Sequence, residues 1–230
     1  LWGVDPRGGD FIWVTPSDND NDFGALGRYP VVFNKDLTTS PKPILKGMDM
    51  NPHPYFENLN SPTAITAVFS CPGRHEEKRG RPCSGKTGKA LEFILRLLHF
   101  QGHCLKRSLI GITNAWDKIE YKHKTKRSEA SDEEILALEN IKRLNRDLIN
   151  TLYAIAFGQK ALSALKRVKE LYRPDLVIIE SIHLSPRNIN FRIKADIFNN
   201  ELKKGEKGNT EKRLAVIAND IKEASNNLLS

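Results

Sequence analysis

Between Gly80 and Thr87 the chain reads Gly-Arg-Pro-Cys-Ser-Gly-Lys-Thr. This spacing can let backbone N–H groups and one lysine cradle the phosphates of a nucleotide, with 176–180 as the strand that would hold its magnesium. That chemistry needs a strand running directly into the first glycine and a helix opening at the Lys-Thr pair. The residues upstream are His75-Glu76-Glu77-Lys78-Arg79, which do not form a buried strand, and the nearest expected strand ends near Ser70. A nucleotide hydrolase therefore stands only as an alternative. His75-x-Glu77 followed by Pro82-Cys83 is similar to a zinc deaminase signature, but that needs a second cysteine three residues after the first, and position 86 is Lys. No metal and no other cofactor is expected.

Charge points more firmly to a partner. The net formal charge of +8 is concentrated in two stretches. Residues 73–89 carry six basic residues against two acidic ones, and residues 118–127 carry five against one, so the remainder of the chain sums to zero. Two focused basic loops suit a polyanion such as DNA, through phosphate neutralisation and counterion release.

Composition bounds the architecture. With 39% hydrophobic and 28% charged residues, 230 residues make a globular chain able to bury a core. No uncharged apolar run approaches the about 18 residues of a membrane span. The first ten residues carry Asp5, Arg7 and Asp10, so no secretory signal is expected there. Three cysteines, Cys71, Cys83 and Cys104, suggest neither a disulfide framework nor an all-cysteine metal site, and a reducing cytoplasmic setting is expected.

The chemistry-bearing residues must be positioned by regular elements. Residues 1–62 read as a loop-rich arm packed on a catalytic domain at 63–230, with short apolar pieces at 11–14 and 30–33. Four apolar runs, 64–70, 109–113, 152–157 and 176–182, read as strands. Between them Leu91, Ile94, Leu95 and Leu98 share one helical face, and Ile135, Leu138, Ile141 and Leu144 another, capped by Ser131 or Asp132. A third helix is expected over 159–171, ended before Pro174. Alternating strands and helices predict a parallel sheet of four strands in an α/β/α sandwich, with chemistry just past the carboxyl ends of the strands.

Three of those ends carry motifs. The first strand is followed by Phe69-Ser70-Cys71-Pro72-Gly73, then Glu76-Glu77, then Gly80-Arg81-Pro82-Cys83-Ser84-Gly85-Lys86-Thr87-Gly88. This resembles the first motif of the uracil-DNA glycosylase superfamily, in bacterial branches reading G-E-A-P-G, an acidic pair, and G-R-P-F-x-G-x-x-G. Ile112-Thr113-Asn114 is similar to the I-T-N of the same branches. His183-Leu184-Ser185-Pro186-Arg187-Asn188 is similar to the H-P-S-P-R-N of single-strand-selective members. The three motifs stand in the superfamily's order.

The resemblance implies that a base is flipped from DNA into a pocket and its bond to the sugar hydrolysed. His183 is then the donor to the pyrimidine O2 as negative charge develops on the base. Asn114 reads the base edge with an amide that both donates and accepts. Cys71, Pro72 and Gly73 bring bare backbone against the base, Ser84 and Ser185 grip phosphates, and Arg187 enters the vacated stack. Arg74, Arg81, Lys86, Pro186, Asn188, Lys122, Lys124 and Lys126 are the remaining expected DNA contacts. Two departures matter. The glutamate of G-E-A-P-G is Ser70, which leaves Glu76, Glu77, Asp117 or backbone carbonyls to orient water. The phenylalanine of G-R-P-F is Cys83, which alters the base pocket. Three cysteines cannot supply the four ligands of the bacterial branch's iron–sulfur cluster. The implied activity is a monomeric, monofunctional glycosylase acting on uracil or on a 5-modified or glycosylated cytosine of phage DNA, with host defence as its biology. A noncatalytic DNA-binding module is the other alternative.

Overall fold

A computed structural model describes residues 56–58, 63–100, 103–203 and 205–227. Apart from 56–58, the expected arm lies outside the described residues. In chain order the elements are β1 (Ile65–Phe69), α1 (Arg74–Arg79), α2 (Gly85–Leu97), the hairpin strands β2 (His99–Phe100) and β3 (His103–Cys104), a 3-10 turn (Arg107–Leu109), β4 (Gly111–Asn114), α3 (Lys122–Thr125), α4 (Asp132–Leu136), α5 (Leu138–Asp147), β5 (Tyr153–Phe157), α6 (Gln159–Leu171), β6 (Val177–Ser181), α7 (Pro186–Arg192) and α8 (Asn209–Asn227).

Strand alternation divides the core in two. Ile65, Ala67 and Phe69 of β1 and Tyr153, Ile155 and Phe157 of β5 face one side, where α2 and α8 pack. Val68, Ala154 and Ala156 face the other, against α4, α5 and α6. The small Ala154 and Ala156 meet Ala161, Ala164 and Leu165 of α6, so that helix lies close on the sheet. The main sheet has the order β4-β1-β5-β6 and every pairing in it is parallel, as the sequence predicts. The chain leaves β1 for one edge and returns past it to β5, which makes a switch point where the loops diverge and a cleft can form. Register brings Phe69 level with Asn114, and Phe157 level with Ser181. Glu57 pairs with Ile112 on the outer edge of β4.

The expected strands at 64–70, 109–113, 152–157 and 176–182 and the helix over 159–171 are all present. The amphipathic stretch at 135–144 is not one helix. It breaks at Ala137, and the Asn140 amide donates to the carbonyl oxygens of Ile135 and Ala115, at 2.6 and 2.8 Å. The break turns Leu138 outward, 53% exposed, while Ile135, Ile141 and Leu144 stay buried. Ser131 caps the first half, with reciprocal bonds to Glu134.

Leu138→Lys is expected to change stability by less than about 0.5 kcal/mol, as an exposed substitution does. Ile141→Ala is expected to cost about 2–5 kcal/mol. Urea denaturation of both variants checks the contrast, and a large loss for Leu138→Lys contradicts the break.

Candidate active site

The carboxyl ends of β1, β4 and β6 open into one cavity of about 700 Å3. Ser70, Cys71 and Gly73 reach it from the turn after β1, Asn114 from the end of β4, and His183, Ser185, Arg187 and Asn188 from the segment joining β6 to α7. Glu76, Cys83 and Thr87 complete a wall. Three segments far apart in sequence thus meet where the sheet topology places a cleft.

His183 is held in one protonation state by its neighbours. The Ser185 N–H donates to Nδ1 at 3.0 Å, so that nitrogen is an acceptor and the proton of the neutral ring lies on Nε2. Burial lowers its pKa below the usual histidine value, against an opposing pull from the Glu129 and Glu76 charges. The ring is therefore neutral near pH 7 and can donate from Nε2. Space for it comes from Gly158, whose φ of +100° favours glycine and where a Cβ would stand 3.1 Å from the Cβ of His183. Ser185 also caps α7 by accepting from the Asn188 N–H, and Pro186 occupies the first turn, where a missing N–H costs nothing.

Asn114 is 3% exposed. Its backbone is fixed by Arg143, which donates to the carbonyl oxygens of Asn114 and Ala115 at 3.0 and 2.8 Å and pairs with Asp147. The loop at 80–84 is fixed from two directions. Glu76 accepts from the N–H groups of Gly73 and Ser84, at 3.0 and 2.7 Å. Arg107 donates to the carbonyl oxygens of Pro82 and Cys83 and pairs with Glu57. Gly88 allows the closing approach, since a Cβ there would meet the Cys83 oxygen at 2.3 Å. Burial pushes the Cys71 thiol up to about 12, and that of Cys83 higher still, so both stay protonated and neither is a nucleophile.

This arrangement leaves no seat for a nucleotide's phosphates at 80–87. α1 stands between β1 and the loop, and the N–H of Ser84 at the start of α2 is already taken by the Glu76 carboxylate. The model of the Uracil DNA glycosylase superfamily matches residues 56–203, well over half of the chain. The chain belongs to this superfamily. Among curated proteins no match is found. The three-layer sandwich around four parallel strands is the superfamily's architecture.

Several residues expected to act with the superfamily's motifs are placed otherwise. Glu77 and Asp117 do not line the cavity. Glu77 accepts from the Tyr121 hydroxyl and pairs with Lys124, and the Lys124 hydrogen bond holds its carboxyl below the usual range. Glu76 lines the cavity, but both its oxygens are spent on the loop. Pro72 is buried, and its carbonyl accepts from the Glu120 N–H. The Ser84 hydroxyl is buried and donates to the Arg81 carbonyl, away from any phosphate, while Arg81 pairs with Glu57. The second basic stretch is partly neutralised: Lys124 is paired, Arg127 is held by Glu120 and Glu134, and Lys118 lies over the Trp116 ring at 5.0 Å. Arg74, Lys86, Lys122, Lys126, Pro186 and Arg187 are exposed.

The cavity also holds Phe69, which the first motif includes without giving it a role, and four residues outside the motifs: Glu120, Ser128, Glu129 and Phe191. Phe69 is stacked on Phe157, with centroids 4.8 Å apart and planes at 12°. Phe191, 69% exposed, follows Arg187 by one helical turn on α7. Its signal was a large aromatic at i+4 from the loop arginine; Glu129 was hidden in the flank of a basic run. Among the described residues no group of three His, Cys, Asp or Glu side chains is placed to hold a metal ion.

Nitrogen-15 NMR of the imidazoles is expected to show His183 protonated on Nε2 and titrating below the usual value of about 6.5. A midpoint above that value, or a proton on Nδ1, contradicts the assignment. The sign follows from linkage. The unfolded chain takes up this proton near pH 6.5 and the folded chain only below it, so His183 lowers stability as pH falls through that window.

Proposed function

We propose that the chain is a monofunctional DNA glycosylase that receives a flipped pyrimidine and hydrolyses its bond to deoxyribose, leaving an abasic site. The observation that carries this reading is the opening of His183 and Asn114 onto one cavity past the carboxyl ends of the sheet, with the imidazole neutral and its proton on Nε2. As the glycosidic bond lengthens, negative charge moves onto the base and positive character onto the sugar. A neutral donor aimed at O2 stabilises the first without adding a charge of its own. The Asn114 amide pairs with the Watson–Crick edge, and the Phe69 ring offers a face for stacking.

On the DNA side, Arg187 and the neighbouring Phe191 ring fill the place of the extruded base, while the exposed Arg74, Lys86, Lys122 and Lys126 meet phosphates. Among the described residues no lysine lines this cavity, and Lys160 lines only the adjoining one, which favours hydrolysis over Schiff-base chemistry with strand cleavage. Uracil is the first substrate to test. A cytosine bearing a 5-substituent or a sugar, as in modified phage DNA, is the second. It is supported by a cavity whose volume lies in the range of about 300–1,000 Å3 that holds drug-sized ligands. It is further supported by the small Cys83 side chain where the superfamily motif has a phenylalanine. Excision of such a base would serve host defence.

Duplex and single-stranded oligonucleotides carrying uracil, hydroxymethyluracil or a modified phage cytosine are expected to become alkali-labile at the marked base. His183→Ala and Asn114→Ala are each expected to lower single-turnover excision by about 100-fold or more, with DNA binding retained. Salt-sensitive binding with every base left intact would instead identify a noncatalytic DNA-binding module.

A further inference from the structure

Hydrolysis also needs a water held near the anomeric carbon and a group to take its proton. The residue that matches the superfamily's carboxylate position is Ser70, so the group must come from elsewhere. Among the described residues three carboxylates line the cavity. Glu76 is committed to the N–H groups of Gly73 and Ser84. Glu120 is 4% exposed and accepts from Trp116 and Arg127. Glu129 has no hydrogen bond or ion pair among the described residues, and its side chain is solvent-accessible.

A second cavity of about 420 Å3 adjoins the first. Four residues line both: Ser70, Glu129, His183 and Asn188. They mark the junction. Ser70 is 5% exposed, and its hydroxyl stands beside the Cys71 sulfur, to which it can donate only weakly, with no oxygen or nitrogen partner among the described residues. The oxygen of such a hydroxyl can still accept a hydrogen bond from a water. The segment bearing Glu129 is drawn over this turn by the Cys71 thiol, 3.8 Å from the Ser128 carbonyl oxygen. The negative charge of Glu129 acts on both Cys71 and His183.

We infer that Glu129 binds the attacking water and accepts its proton, with the Ser70 hydroxyl as the second anchor. This rests on the glycosylase reading above. The C1′–N1 bond breaks and its electron pair leaves with the base, stabilised by the donor on His183. The water oxygen forms the new bond to C1′, its proton passes to the Glu129 carboxylate, and the departing base anion takes a proton from solvent. Protons and electrons balance without a further reactant. The carboxylate work of the motif has thus moved from the strand end to the loop before α4.

The test is single-turnover excision by the full chain on a substrate that the wild type processes. Glu129→Gln is expected to lose about 100-fold or more, within the usual contribution of a general base, with DNA binding unchanged. Glu139→Gln, on the exposed face of α5 and outside the cavity, is expected to stay near wild type. Formate added to Glu129→Ala is expected to restore part of the rate, which a merely structural role would not allow. Ser70→Ala is expected to lose a smaller factor, about tenfold, as for one hydrogen bond. Glu129→Gln within threefold of wild type, or no rescue by formate, overturns this inference and leaves the glycosylase reading standing. No excision of any base by the wild type overturns both.

Discussion

One backbone hydrogen bond, from the Ser185 N–H to Nδ1 of His183, sets the chemistry available to the whole cavity. It decides which nitrogen carries the proton, and burial of the ring keeps the second proton off. The bond exists because the chain turns sharply after β6 and enters α7 through a serine cap and a proline. The serine that caps the helix therefore also chooses the tautomer of the histidine two residues before it. Gly158 on the neighbouring strand end supplies the room, so β5, β6 and α7 all constrain one imidazole.

The opposite wall follows the same economy. Glu76 ties the turn after β1 to the start of α2, and Arg107 holds the loop between them by its carbonyl oxygens. These two charged groups do structural work inside a segment whose composition suggests phosphate binding. Elsewhere Glu57, Glu77, Glu120 and Glu134 take up Arg81, Arg107, Lys124 and Arg127. The positive surface is therefore smaller than the formal charge implies.

The fold was legible because strand alternation and helical spacing are local signals. Ile65, Ala67 and Phe69 against Val68, and the helix ended ahead of Pro174, need no knowledge of the rest of the chain. The break at Ala137 was not legible, since it depends on the Asn140 amide reaching the Ile135 and Ala115 carbonyl groups. α8 carries the right spacing at Leu214, Ile217, Ala218 and Ile221, but lies beyond the strand and helix alternation from which the sheet is read. In the site, motif residues next to strand ends, His183, Asn114, Ser70 and Cys71, were readable because the sheet fixes where strand ends go. That Glu76 accepts from the Ser84 N–H, and that the Ser84 hydroxyl turns to the Arg81 carbonyl, is not visible in the sequence, because both contacts depend on how the loop folds back. Glu129 has no motif and is brought to the cavity by irregular chain alone.

Phe69 and Phe157 sit side by side on adjacent strands, one ring lining each of the two cavities. Stacked face to face and almost wholly buried, the two rings brace each other, so the floor that the cavities share is set before anything arrives. A guest entering either cavity meets a boundary of fixed shape, and none of its binding energy is spent on ordering these two rings. Whatever adjustment distinguishes one guest from another falls to the irregular roof above it.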